Sequence, residues 1–159
     1  MAEARRSFEG SCRSTATPDE ACAVWTDPDS WPGGPIETAR VDGAFEVGSK
    51  ITTKVKGNRR LTSTITRIDA PHLWVGVAKA PGLTMTIDHI IDPAETDTVL
   101  TERLTFSGPL ASLVARLMGR RIERDFAATT AYCAERAEAR ATASAPANSQ
   151  GAEGSKVVP

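Results

Sequence analysis

The sequence is poor in the residues from which most catalytic and metal centres are built. Its 159 residues include two histidines, three cysteines and one tyrosine, and aromatic residues make up 5% of the chain. The histidines, His72 and His89, fall on different predicted elements. The cysteines, Cys12, Cys22 and Cys133, have no metal-ligand spacing. A Gly-x-Ser-x-Gly elbow and a dinucleotide-binding fingerprint are also missing, so neither a metal nor a cofactor is expected.

Strong net charge and long apolar runs are missing as well. A formal charge of -1 gives no overall attraction to nucleic acid or to an anionic membrane, so either role would need a local patch. No segment approaches the roughly 20 apolar residues of a membrane-spanning helix, and residues 1–10 have no apolar signal core. The odd, widely spaced cysteines fit reduced thiols. We expect a cytoplasmic monomer or homodimer that binds no nucleic acid and does not insert stably into a membrane.

The longest regular pattern is an amphipathic helix between residues 107 and 138. Pro109 is expected at its first position, where the missing amide hydrogen costs little. Gly119 costs roughly 1 kcal/mol relative to alanine, so it marks a bend or a place where a neighbour needs room. The polar positions are Arg116, Arg120, Arg121, Glu123 and Arg124. The apolar stripe, expected to cover the core, consists of Leu110, Leu113, Val114, Leu117, Met118, Ile122, Phe126 and Cys133.

Upstream of this helix the apolar period is two, which predicts a sheet. Thr17 and Glu20 form a capping box for a short helix that breaks at Pro28. Short connections make consecutive strands antiparallel neighbours. The expected strands are 7–15, 36–41, 50–56, 60–68, 73–80, 83–91 and 98–106. Residues 1–143 are predicted to form one domain, and the Ala-, Ser- and Gly-rich residues 144–159 a disordered tail.

The last two strands carry the most informative side chains. Because most of their predicted pairs are apolar, this face should point inward and take His89 and Glu102 with it. A carboxylate beside an imidazole can orient one ring nitrogen and leave the other as a general base. Alternatively, Glu102 only neutralises an interior histidine or lies at the rim in water. The predicted pairs are Ile91 with Leu100, His89 with Glu102, Ile87 with Leu104, and Met85 with Phe106.

At residue level the chain resembles the bacterial polyketide cyclase/dehydrase-like branch of the SRPBCC (START/Bet v 1-like) superfamily, over about residues 5 to 138. The stretches that carry the resemblance are Val24-Trp25-Thr26-Asp27-Pro28 with Trp31, Phe45-Glu46-Val47-Gly48, Ile68-Asp69-Ala70-Pro71, Asp88-His89, and Phe106-Ser107-Gly108-Pro109-Leu110. The resemblance implies an α+β helix-grip fold, in which a curved antiparallel sheet of about seven strands wraps on the C-terminal helix. It also implies a cavity between them for a hydrophobic small molecule.

The expected ligand contacts combine this implied cavity with the apolar pattern. Trp31, next to a Pro-Gly-Gly loop, resembles a mouth residue with a flat apolar wall. The other candidates follow from the inward faces of the last hairpin and the helix. The complete set is Trp31, Met85, Ile87, Leu100, Leu104, Leu117, Met118, Gly119 and Ile122.

The functional classes left open are three. The first is a cytosolic binding protein for a lipid, polyketide or aromatic molecule. The second resembles polyketide cyclases or dehydratases and moves protons with His89 and Glu102, although aromatase/cyclase relatives tend to use cavity tyrosines and the only tyrosine here is Tyr132. The third is a chaperone-type interaction module.

The basic residues around the 57–58 turn are predicted to form a solvated edge rather than a nucleic-acid site. They are Lys54, Lys56, Arg59 and Arg60.

Overall fold

One antiparallel sheet and one long helix dominate the structure, a computed structural model that describes residues 6–146. The strands lie in the order β1-β7-β6-β5-β4-β3-β2, a meander closed by its first strand. This confirms the predicted helix-grip architecture and places each strand within two residues of its predicted ends. In chain order the elements are β1 (Arg6–Ser14), α1 (Pro18–Trp25), a 3-10 turn (Pro28–Ser30), β2 (Ile36–Val41), β3 (Lys50–Val55), β4 (Arg60–Asp69), β5 (Leu73–Ala80), β6 (Leu83–Pro93), β7 (Thr98–Ser107) and α2 (Ala111–Ser144). Residues 147–159 of the predicted tail lie outside the described residues.

The β6–β7 hairpin has the register that the sequence predicts. His89 lies opposite Glu102, and the three neighbouring apolar pairs form as expected. Alternation of side chains along both strands sends Asp88 and Arg103 to the outer face. The period-two pattern therefore determines which residues of this hairpin face the interior.

The long helix α2 crosses the sheet on top of β1 at very short range. A Cβ atom at Gly10 would overlap the backbone of Ala127, and one at Gly119 would overlap the ring of Phe8. Gly119 is therefore the position where a neighbour needs room, the second of the two roles predicted for it. Ala115 and Ala111, four and eight residues before Gly119, are also buried, in a cluster with Leu104 and Phe106 of β7.

This small-residue contact corrects the predicted orientation of the first turns of α2. Leu117 is 74% exposed and Leu113 is 56% exposed, so the expected core stripe is wrong for them. Leu110 and Met118 are also exposed. The helix turns Ala111, Ala115 and Gly119 toward the sheet because only small side chains permit the observed approach of helix and sheet. It also begins at Ala111, two residues later than predicted, since Gly108 takes a positive φ of 101° and Leu110 N–H donates to Gly82 O.

The segment between α1 and β2 is fastened to the C-terminal half of α2. The predicted capping box of Thr17 and Glu20 is present at the start of α1. The Tyr132 hydroxyl donates to Pro32 O at 2.8 Å. Arg140 Nη2 lies 2.7 Å from Asp27 Oδ2, and this contact lowers the pKa of Asp27. These contacts hold the Trp31 loop over one end of the sheet.

The exposure of Leu117 reverses the outcome that the sequence pattern predicts for Leu117→Asp. We expect this variant to fold with a free energy of unfolding within about 0.5 kcal/mol of wild type, as for other exposed substitutions. Ala137→Asp, at a fully buried position on the same helix, should unfold the protein because it buries an unpaired charge. Thermal and urea denaturation followed by circular dichroism measures both. Unfolding of the Leu117→Asp protein would contradict the described helix orientation.

Candidate functional site

A cavity of about 530 Å³ lies between the concave face of the sheet and α2. Its volume is in the range of small-molecule sites. Its walls are mainly apolar, and the residues that line it are Trp25, Trp31, Ile36, Ile51, Thr53, Val55, Asn58, Arg59, Arg60, Leu61, Ser63, Trp74, Gly76, Leu83, Met85, Ile87, His89, Glu102, Leu104, Phe106, Val114, Met118, Ile122, Asp125, Phe126, Thr129 and Cys133.

His89 and Glu102 form a buried pair in the wall of this cavity. The distance from His89 Nε2 to Glu102 Oε1 is 3.2 Å, and each residue is only 7% exposed. Neighbouring strands fix both partners, since Glu102 pairs with Gly10 of β1 and His89 pairs with Trp74 of β5. The contact is short enough for the carboxyl group to control the position of the proton on His89.

Two tryptophans hold the imidazole in place. The ring of Trp74 stacks on that of His89 with centroids 3.5 Å apart and an interplanar angle of 8°. The ring of Trp25 meets His89 edge to face at 5.4 Å. Trp31 lies parallel to Trp74 at 6.0 Å, and its indole N–H donates to Val24 O. Packing on both sides therefore fixes the ring orientation of His89 before any ligand enters.

Three buried polar atoms of this group have no hydrogen-bond partner among residues 6–146. They are Trp74 Nε1, His89 Nδ1 and Glu102 Oε2. Leaving a buried donor or acceptor unsatisfied costs about 1–3 kcal/mol. We call this set of three residues the polar cluster. It offers an indole donor, a carboxyl oxygen and a ring nitrogen whose role depends on the tautomer.

Most of the predicted contact residues lie in the cavity wall, and three do not. Leu100 belongs to a separate buried cluster with Trp25 and Ile91. Gly119 faces Phe8 of β1, and Leu117 points away from the protein. The predicted residues found in the wall are Trp31, Met85, Ile87, Leu104, Met118 and Ile122, together with His89 and Glu102.

Sequence reasoning missed two parts of the wall. Trp25 and Trp74 are absent from the expected contacts although both line the cavity, and Trp25 also belongs to a buried core cluster. The β3–β4 turn was expected only as a solvated edge; Arg59 and Arg60 are exposed there, and they also line the cavity. Trp74 pairs with His89, which faces inward, and this pairing indicates that Trp74 faces inward as well.

The buried thiol of Cys133 completes the wall beside Glu102. Burial, followed by the nearby Glu102 carboxylate, raises the pKa of Cys133 to about 12. A thiol with this pKa is almost entirely protonated at neutral pH and is a poor nucleophile. Covalent catalysis by this cysteine is therefore not favoured at neutral pH.

The family described as "Polyketide cyclase / dehydrase and lipid transport" matches residues 5–138. The chain belongs to this family, within the SRPBCC (START/Bet v 1-like) superfamily. No curated protein sequence matches the chain.

Several solved structures share the fold at low sequence identity. The di-domain ARO/CYC StfQ from the steffimycin biosynthetic pathway matches with a TM-score of 0.69 and 14% identity, over 87% of this chain and 52% of that one. This family member thus spans about half the length of StfQ. A norcoclaurine synthase point mutant from Thalictrum flavum gives 0.61 and 12% identity, over 86% and 98% of the two chains. Ara h 8.0201 gives 0.56 and 17%, over 82% and 99%.

Between residues 6 and 146, no group of three or more histidine, cysteine or acidic side chains is placed to hold a metal ion. No helix in that range has the length and apolar character needed to cross a membrane.

The high pKa of Cys133 predicts how fast this thiol is alkylated at different pH values. Since only the thiolate reacts, its rate with iodoacetamide should rise about tenfold for each pH unit from 8 to 10 without levelling. Peptide mass spectrometry after timed alkylation measures the rate, with the partly exposed Cys12 and Cys22 as internal references. A rate for Cys133 that levels near pH 9 would mean that the thiol is not desolvated.

Proposed function

We propose that the protein is a cytosolic binding protein that holds one hydrophobic, ring-containing small molecule in the cavity. The observation that carries this proposal is the polar cluster, whose three buried polar atoms have no partner among the described residues, in a mainly apolar wall. Buried polar groups are normally hydrogen-bonded, so a ligand that supplies the missing partners would recover the cost of leaving them open.

The chemistry of the cluster defines the ligand further. Trp74 Nε1 can donate only, so it requires a hydroxyl or carbonyl oxygen on the ligand. Glu102 Oε2 accepts a hydrogen bond from a hydroxyl when the carboxyl group is ionised. A ring that carries an oxygen substituent, such as a phenol or a cyclic ketone, meets both demands. Flat aromatic walls suit such a ring.

One similar solved structure contains ligands of the proposed class. StfQ is described as an ARO/CYC of a biosynthetic pathway, and a norcoclaurine synthase structure contains dopamine and hydroxybenzaldehyde. Both hydroxybenzaldehyde and dopamine are hydroxylated rings. The likeness is one of fold alone, so the ligand class of this protein rests on its own polar cluster.

Native mass spectrometry of protein purified from its own host tests the binding function. We expect a retained molecule of a few hundred daltons that dissociates on denaturation, because a cavity of about 530 Å³ accommodates a ligand of that size. The control is the same measurement on a Gly76→Trp variant. Gly76 lies in the cavity wall beside Ser63 and Trp74, so the added side chain would occupy part of the cavity. Equal retention by both proteins, or retention by neither, would count against the cavity as the binding site.

A second candidate function, proton-transfer catalysis on the bound ring, is favoured by the geometry of the buried pair. If Glu102 accepts the Nε2–H of His89, then Nδ1 is left as the proton acceptor. Such a base can remove a proton from a carbon next to a ligand carbonyl, as a cyclase or dehydratase reaction requires. Tyr132 is not available for this chemistry, since its hydroxyl is bonded to Pro32 O.

Substitution of the pair separates binding from catalysis. His89→Gln and Glu102→Gln should both preserve the fold, because glutamine is polar and of similar size. Under the catalytic function they should lower kcat by about 10²- to 10⁴-fold with little change in binding. Under the binding function they should change ligand selectivity instead. Asp88→Asn, on the outer face of the same strand, is the matched control and should have no effect; unchanged binding and turnover in both glutamine variants would make the pair purely structural.

A further inference from the structure

The first turns of α2 expose an unusual row of leucines. Leu110, Leu113 and Leu117 are spaced so that they lie along one side of the helix, and they are 44%, 56% and 74% exposed. Met118, beside them, is also exposed. Large apolar side chains grouped in this way on a surface mark an interaction site, whereas single exposed residues need no explanation.

Arginines share this outward face with the leucines. Arg116, Arg120, Arg121 and Arg124 are all exposed, whereas Glu123 and Asp125 are the acidic residues between positions 110 and 125. At 100° per residue, Arg120 and Arg124 project in nearly the same direction as Leu113 and Leu117. This segment is thus basic in a chain whose formal charge is -1.

Two turns of the sheet extend the same surface. Arg121 Nη2 donates to Gly57 O in the β3–β4 turn, which carries the exposed Lys56, Arg59 and Arg60. Leu110 N–H donates to Gly82 O in the β5–β6 turn, next to the exposed Lys79. We call the basic and apolar surface formed by these turns and residues 110–124 of α2 the rim.

The rim surrounds the opening of the cavity. Arg59, Arg60 and Met118 are exposed to solvent and also line the cavity, so they mark its mouth. A molecule that enters or leaves by this route must pass the leucines and the basic side chains. A partner that docks on the rim would therefore also cover the mouth of the cavity.

We propose that the rim docks on an anionic lipid surface, so that the apolar ligand passes between the membrane and the cavity without crossing water. Helices with leucine and arginine side chains bind at the boundary between headgroups and acyl chains. The arginines match the negative potential of anionic lipids. A second copy of the chain is a poorer partner, because a symmetric contact would place the arginines against each other. A protein partner is also less suited, since leucine is under-represented among protein interface hot spots.

Vesicle sedimentation tests the docking surface with the full chain and no added ligand. We expect the protein to bind vesicles containing one third phosphatidylglycerol and two thirds phosphatidylcholine, but not vesicles of phosphatidylcholine alone. Added salt should weaken the binding, because screening reduces the attraction of exposed charges. Replacing Arg120 and Arg124 together by glutamine should lower the affinity by about tenfold or more.

The leucines are tested with a matched apolar control. Leu113→Ser with Leu117→Ser should also lower vesicle affinity by about tenfold or more. Val47→Ser removes an equally exposed apolar residue, 59% exposed, from the loop at the other end of β3 and should leave the affinity unchanged. Circular dichroism confirms that all variants are folded. Absence of vesicle binding by wild type would overturn the proposal, as would equal loss in the Val47→Ser protein or a leucine-dependent dimer in sedimentation velocity.

Discussion

The contact between α2 and β1 is the constraint on which the rest of the structure depends. Gly10 and Gly119 let the helix approach the strand closely enough for Phe8 and Ala127 to fill the gap. This approach sets the rotation of α2 about its own axis. It sends Ile122 and Cys133 into the cavity and turns Leu113 and Leu117 outward. The orientation of α2 that this contact fixes therefore determines both the helix side chains that line the cavity and those that form the rim.

The sequence predicts the sheet well because apolar residues recur at every second position along its strands. In the β6–β7 hairpin an error of one position would have turned every apolar side chain to the solvent, so the pattern admits one register. The pairing of His89 with Glu102 follows from it and is found in the structure. The sheet, the helix-grip order and the position of the buried pair were therefore accessible from the sequence.

The orientation of α2 was not accessible by the same reasoning. A search for the largest apolar side chains selects Leu113 and Leu117, whereas the helix buries Ala111, Ala115 and Gly119. Small residues at a spacing of four indicate a close approach, but Phe8, the residue that Gly119 contacts, is more than 100 positions away in the chain. The mouth of the cavity was missed for the same reason, because it forms where α2 meets the β3–β4 turn.

We propose that the polar cluster gives the cavity its selectivity. Burying a histidine and a carboxylate in a mainly apolar wall costs desolvation free energy. The stacking of Trp74 and the edge contact of Trp25 nevertheless fix the orientation of the His89 ring. Nuclear magnetic resonance of the indole N–H groups during titration with 2-naphthol tests this most directly. The account predicts that the Trp74 signal moves most, that the Trp31 signal moves little because its N–H already donates to Val24 O, and that naphthalene, which lacks the hydroxyl, shifts Trp74 less. Saturable binding of 2-naphthol that leaves the Trp74 signal in place, or no saturable binding at all, would contradict the account.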